Sequence, residues 1–473
     1  MAEPVRLHPR NLRYLLFRNQ PLVVVTSAEH YGAVLNPDFD YRKYLASLAA
    51  AGMNYTRIFT GSYVETPRAF GIQRNTLAPP GDRFLPPWAR SSEPGYAGGG
   101  NKFDLDRWNP AYFERLRSFV ALASREAILV EVTLFCSCYR EEHWRSSPFH
   151  PASNVNRTTA LADYKSLNTL DNGNLLARQE AMTRKIVREL NEYDNVIFEI
   201  QNEPWADRGV PVDCINPFLP PPARDRWPNA VEVGDRPSVE WQKRVADWIV
   251  SEESRRPAKH LIAQNYCNFR RPIPMDEIVP AASILNFHYA FPEAVTWNSG
   301  LGRVIGFDES GFAGSDDEPY RKQAWRYLLA GGGLFNSLDY SFTVGHEEGD
   351  DVEPNGPGGG SPALRRQLRV AREFVESLPF LEMQPDCGVV ARSPGVVAQA
   401  FSKPGEAYAL YLTGNGEANL MLELPAGRYR ADWVDTKTGA APRSVEIDHA
   451  GGLAALRSPA FQMDIALKLV RRA

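Results

Sequence analysis

The sequence predicts a (β/α)8 barrel followed by a small C-terminal all-β sandwich. Three observations predict it. Apolar runs with the look of buried strands alternate with amphipathic helical stretches until eight such runs are counted. The long connections, rich in Gly, Pro and aromatic residues, follow the C-terminal ends of those strands, where a barrel builds its site. Near Pro385 the pattern changes to short alternating strands separated by turn residues.

Arg13 to Arg18, a turn at Asn19-Gln20, and Pro21 to Val25 read as an N-terminal hairpin. Its second arm runs on as PLVVVTSAEHYG, an apolar stretch ending in polar residues, as a buried barrel strand does. An amphipathic helix follows over Tyr41 to Ala51, capped by Gly52. The eight strands are expected at 22–28, 54–59, 127–135, 195–202, 260–265, 283–289, 303–309 and 332–340. Helices are expected over Pro110 to Glu126, Leu175 to Glu192, Ser238 to Glu253 and Glu318 to Ala330. Those flanking strand six look short. No strand is followed by a Gly-rich phosphate loop, which argues against an open doubly wound sheet. The expected domains are 1–384, barrel with N-terminal hairpin, and 385–473, a sandwich acting as a structural buttress.

Composition excludes several classes. Hydrophobic content of 43% and charged content of 23% are those of a soluble globular protein. With a net charge of −4 and no run of basic residues, nucleic acid is not an expected partner. No apolar run reaches the roughly 18 residues of a membrane span. The start, MAEPVRLHPR, has no apolar h-region. The sequence as it stands is thus expected in the cytoplasm, or secreted or periplasmic if a signal peptide has been removed. The 5 cysteines are scattered, so buried thiols are expected rather than disulfides, and the Cys136/Cys138 pair is a weak metal signal. His30, His143, His288 and His346 do not fall at H-x-x-x-H spacing, and neither a metal nor a cofactor is expected.

The sharpest motif is Phe198-Glu-Ile-Gln-Asn-Glu-Pro-Trp205. A buried strand ends in an amide and a carboxylate and then breaks at proline. Burial raises a carboxyl pKa, which suits Glu203 to protonate a leaving oxygen, while Asn202 can hold a sugar hydroxyl. A second carboxylate pair ends strand seven in Val304-Ile-Gly-Phe-Asp-Glu-Ser-Gly311. Neighbours on a strand point to opposite sides, so only one of Asp308 and Glu309 should face the axis, and the E-x-G spacing favours Glu309. Two carboxylates across a barrel mouth make a glycosidase site, retaining if they are roughly 5–5.5 Å apart.

These motifs resemble glycoside hydrolase clan A, the retaining barrels that include the family-5 cellulases and mannanases. The resemblance implies Glu203 as acid/base, Glu309 as nucleophile, and Arg57 at the end of strand two as the cation keeping Glu309 ionised. It also implies site contacts from His288 and Tyr289. That family often spaces the pair H-x-Y, whereas here the two are adjacent; a bulge must re-aim one, or only one contributes. Further expected contacts are Trp205, the strand-one end Glu29-His30-Tyr31, His143 with Trp144 as a stacking platform, and Asp339 after strand eight. The implied function is hydrolysis of β-linked glycosides or oligosaccharides through a covalent glycosyl-enzyme, with carbohydrate as partner. Two rivals are a metal-dependent barrel hydrolase of amide or phosphate esters and a non-catalytic carbohydrate-binding barrel.

Overall fold

The computed structural model describes residues 3–28, 31–214, 218–220, 229–267, 272–310, 312–353 and 355–472. Eight parallel strands form one sheet: β1 Val24–Ser27, β2 Tyr55–Phe59, β3 Leu129–Cys136, β4 Val196–Asn202, β5 Leu261–Tyr266, β6 Ile284–His288, β7 Val304–Glu309 and β8 Leu334–Ser337. Backbone pairing runs β1-β8-β7-β6-β5-β4-β3-β2. The seam between β1 and β2 is closed by a side chain. Asn54 donates to the Val23 carbonyl and accepts from Val25 N–H, both at 2.9 Å. All eight expected strands are present.

The hairpin differs from its expected form. Leu15–Phe17 pairs with Gln20–Leu22 through a two-residue turn at Arg18 and Asn19, both left-handed, and Arg6–Leu7 adds a third strand. The apolar run therefore splits at Val23, and only its second half joins the barrel. Val5, Leu15 and Phe17 pack onto the first inward residues of the barrel strands, among them Tyr55, Leu129, Ile197 and Ile284, and plug the bottom of the barrel. Each fully buried side chain of this size contributes roughly 1.5–3 kcal/mol.

Helices cover the outside. Tyr41–Ala51 begins at Asp40, whose carboxylate accepts from two backbone N–H groups, and stops at left-handed Gly52. Pro110–Arg125, Leu175–Leu190, Arg236–Ser254 and Asp317–Leu329 follow β2, β3, β4 and β7. Among the described residues between β5 and β6 a 3-10 turn, Met275–Glu277, stands in place of a helix, and Pro292–Asn298 is short. Pro362–Glu376, a helix absent from the sequence reading, packs beside β1 with Leu364, Leu368, Ala371 and Val375 buried. Among the described residues no helix is long and apolar enough to cross a membrane.

The C-terminal strands form a six-stranded antiparallel sheet and a three-stranded one, with a core of their own around Trp433, Leu410 and Leu467. They are anchored on the barrel by a buried ion pair. Arg321 donates to both oxygens of Asp464 at 2.9 and 3.0 Å, and Trp325 stacks on Tyr411 at 5.4 Å.

Candidate active site

The C-terminal ends of the strands converge on one cavity lined by Tyr31, Asn202, Glu203, Tyr289 and Glu309, with walls from the loops after β2 and β8. Glu203 stands just past β4 in a left-handed conformation (φ 48°). That bend interrupts the strand's alternation and lets Asn202 and Glu203 both face the mouth. The turn is fixed by Asn265, which accepts the Glu203 N–H at 3.0 Å, and by Ser137, which donates to the Glu203 carbonyl at 2.6 Å.

Strand six resolves the adjacent His288 and Tyr289. Its register against β7 shifts after Phe287, and Tyr289 adopts φ 53°, so both side chains turn inward. His288 Nδ1 lies 3.0 Å from Glu203 Oε1 and 3.4 Å from Glu309 Oε2. The Tyr289 hydroxyl lies 2.9 Å from Glu203 Oε1 and 2.8 Å from Glu309 Oε1. The same shift overturns the expectation that only one of Asp308 and Glu309 faces the axis. Asp308 lies 3.6 Å and Glu309 3.5 Å from the Arg57 guanidinium.

Arg57 is fully buried and touches both Glu309 at the mouth and the acids beneath it. Its Nη1 approaches Glu309 and donates to the Tyr31 hydroxyl at 2.9 Å, and Tyr31 in turn donates to Glu309. Its other edge donates to Glu199 at 2.9 Å and to Asn202 at 2.7 Å, with Glu131 at 3.5 Å. Glu131, Glu199 and Asp308 are thus gathered beneath the mouth around one guanidinium. Burial together with the like charges of Glu199 and Asp308 pushes Glu131 well above the usual carboxylate range. Burial pushes Glu199 up to about 7, against the opposing charge of Arg57.

At the mouth, burial raises Glu203, but hydrogen bonds from His288, Tyr139 and Tyr289 and the His288 charge outweigh it and hold this carboxyl below its ordinary value. Glu309 is held above its ordinary value, by burial first and then by the Glu203 charge, with His288 and Arg57 opposing. Burial disfavours a charged His288. The Glu309 and Asp308 charges, with hydrogen bonds to Asp308 and Glu203, prevail and hold it well above its ordinary value.

Other expected contacts fall elsewhere. Trp205 is buried behind the site, edge-on to His288 at 5.4 Å. Trp144 is 2% exposed and packs on His150, so it has no free face for a sugar, and its expected stacking role is corrected: it belongs to the core. His143 sits behind the cavity wall, 3.0 Å from the Tyr63 hydroxyl. Asp339 borders the cavity, but its carboxylate already accepts from Ser27, Ser341 and Arg365, leaving it a structural tie. Glu29, His30 and Gly311 lie outside the described residues. Cys136, Cys138 and Cys267 are buried free thiols. Tyr139, Asn265 and Glu65 escaped the sequence reading. Asn265 had a signal, a polar residue ending a barrel strand; the two loop residues had none.

No family model matches the chain, and no curated protein matches it. Solved structures share its fold. A glycoside hydrolase family 5 protein from Bacteroides vulgatus aligns at 12% identity and TM-score 0.61, covering 99% of this chain and 92% of that one. A putative glycoside hydrolase from the same organism aligns at 14% identity and TM-score 0.64, covering 100% and 83%. A third structure, described as a glycoside hydrolase, aligns at 12% identity and TM-score 0.61, covering 99% and 97%. The likeness spans barrel and sandwich together.

Proposed function

We propose that the chain is a retaining glycoside hydrolase that cleaves β-linked glycosides or oligosaccharides, with Glu309 as nucleophile and Glu203 as acid/base. One observation carries the reading: carboxylate oxygens of Glu203 and Glu309 lie within 4.8 Å of each other at the barrel mouth. Inversion needs a gap of roughly 6.5–9.5 Å to seat a water, whereas direct attack by a carboxylate needs roughly 5–5.5 Å.

In the first step Glu309 bonds to the anomeric carbon as the bond to the leaving oxygen breaks, and Glu203 gives that oxygen its proton. In the second, Glu203 takes a proton from water, the water oxygen bonds to the anomeric carbon, and Glu309 departs. The first step needs Glu203 protonated and Glu309 ionised at the start; the second begins with Glu203 ionised and Glu309 bonded to the sugar. Hydrogen bonds from His288, Tyr139 and Tyr289 favour a charged Glu203 with the proton on His288. A bound sugar displaces water from the mouth and removes solvent stabilisation from Glu203, so the proton can cross the 3.0 Å from His288. Tyr289 fits the resulting state: its single proton goes to Glu309, and protonated Glu203 donates to its phenol oxygen.

Glu203, His288 and Glu309 would also suit the metal-hydrolase reading, since each offers a ligand atom within 4.8 Å of the others. Hydroxyls of Tyr31, Tyr139 and Tyr289 already donate to those carboxylates, an arrangement that favours anions over a cation. Glu309→Ala tests the assignment. The folded variant should lose turnover, and added azide should restore cleavage of an aryl glycoside with an inverted azide product. Near-normal turnover would move the nucleophile elsewhere, with Asp308 the nearest candidate.

A further inference from the structure

The cavity beside Glu309 has an end wall. The loops after β2 and β8, which flank β1, are strapped together across its mouth. Gln73 N–H donates to the Asn355 carbonyl at 2.7 Å, and Arg74 N–H donates to the Asn355 side chain at 2.6 Å. The Arg74 guanidinium donates to both oxygens of Asp351 at 2.7 Å, and Asp351, 8% exposed, is held from behind by Thr343. Arg74 and Asn355 line the same cavity as Glu203 and Glu309. Its volume of about 110 Å³ is small beside the roughly 300–1,000 Å³ of pockets for drug-sized ligands, which suits one sugar ring rather than a row of them.

Glu65 lies in that wall. Tyr63 donates to its Oε1 at 3.2 Å and Asn75 to its Oε2 at 2.5 Å, so each oxygen has one protein donor and keeps acceptor capacity. Burial pushes this carboxyl up to about 7. Among the described lining residues Arg74 is the sole basic one, and its guanidinium is taken by Asp351 and Glu353. With the Arg74 guanidinium taken by Asp351 and the Glu65 carboxyl in the wall, a neutral sugar fits better than a uronic acid, whose carboxylate would face Glu65.

A glycone on Glu309 would have its anomeric carbon at that carboxylate and its far hydroxyls toward this wall, with the leaving group on the Glu203 side. Resting on the glycosidase reading above, we infer that the cavity is a single-sugar pocket for a neutral non-reducing-end residue. In it Glu65 binds the sugar's hydroxyls and the Arg74–Asp351 strap blocks any further sugar, so that the chain removes one residue at a time from chain ends.

Reducing-end-labelled, β-linked oligosaccharides of neutral sugars, with nitrophenyl β-glycosides of neutral sugars and of glucuronic acid, test this. The intact protein should yield early labelled products one sugar shorter than the substrate and should prefer neutral aryl glycosides. Glu65→Ala should lower kcat/KM about 10- to 100-fold, chiefly through KM, and Arg74→Ala should add internal cleavage products. A ladder of internal fragments from the intact protein, or preference for the glucuronide, would overturn the inference and leave the hydrolase reading standing. No cleavage of any glycoside would bring down both.

Discussion

In the proposed double displacement Glu203 meets the harder demand of the two carboxylates, because it must hold a proton, release it and take another within one cycle. Its surroundings are built for exchange. His288 stands on one oxygen and Tyr139 on the other, and Asp308 supports the far side of the imidazole at 3.4 Å. Glu203→Gln removes the exchangeable proton and keeps the shape. The variant should lose roughly 10²–10⁴-fold in the glycosylation rate of a substrate with a poor leaving group and far less with an activated aryl group. Single-turnover rates on the two substrates check this, and equal losses would remove Glu203 from the acid's place.

At the scale of elements, the site depends on three departures from regular strands: left-handed Glu203, left-handed Tyr289, and the register shift between β6 and β7. The strands themselves were legible because a parallel strand buried on both faces is a largely apolar run, as at Leu129–Cys136 and Val196–Asn202. Glu203 and Glu309 were legible because each ends such a run. The inward turn of both Asp308 and Glu309 was not, since strand alternation forbids it and only the neighbouring register permits it. Trp144 was misplaced because an aromatic in a loop reads the same whether it faces a cavity or the core. The β6/β7 geometry also leans on Gly306, where a Cβ would meet Asn286 Oδ1 at 2.3 Å, and Asn286 holds Glu131. Gly306→Ala should cost about 1–3 kcal/mol by overpacking and should lower kcat as well, by tilting the strand that ends in Glu309. Gly300→Ala, with nothing within 4 Å of the added carbon, is the silent control. Thermal melting and kcat measured on both variants check the claim, and a fully active Gly306→Ala would contradict it.

For the whole molecule, the unusual property is the amount of acid inside the barrel. Glu65, Glu199 and Asp207 are each pushed up to about 7, first by burial, and burial likewise holds Glu131 well above its ordinary value. A carboxyl whose folded pKa exceeds its unfolded value binds more protons in the folded state across the interval between them. Stability from such groups is complete below the unfolded value of roughly 4–4.5 and is lost as pH rises toward 7. Carboxylates held low by partners, such as Asp194 beside Arg18 and Ser124, lose their contribution at lower pH instead. The melting temperature should therefore be highest near pH 5 and fall toward pH 8. A flat profile over that interval would mean that these acids are not held as described.

The stereochemistry of hydrolysis tests the central claim most directly. Proton NMR of an aryl β-glycoside during its first minutes of cleavage reads which anomer forms before mutarotation mixes the two. Double displacement through Glu309 predicts that the β-anomer appears first and the α-anomer grows in afterwards. The α-anomer appearing first would mean that water attacks directly, and it would contradict the nucleophilic role of Glu309.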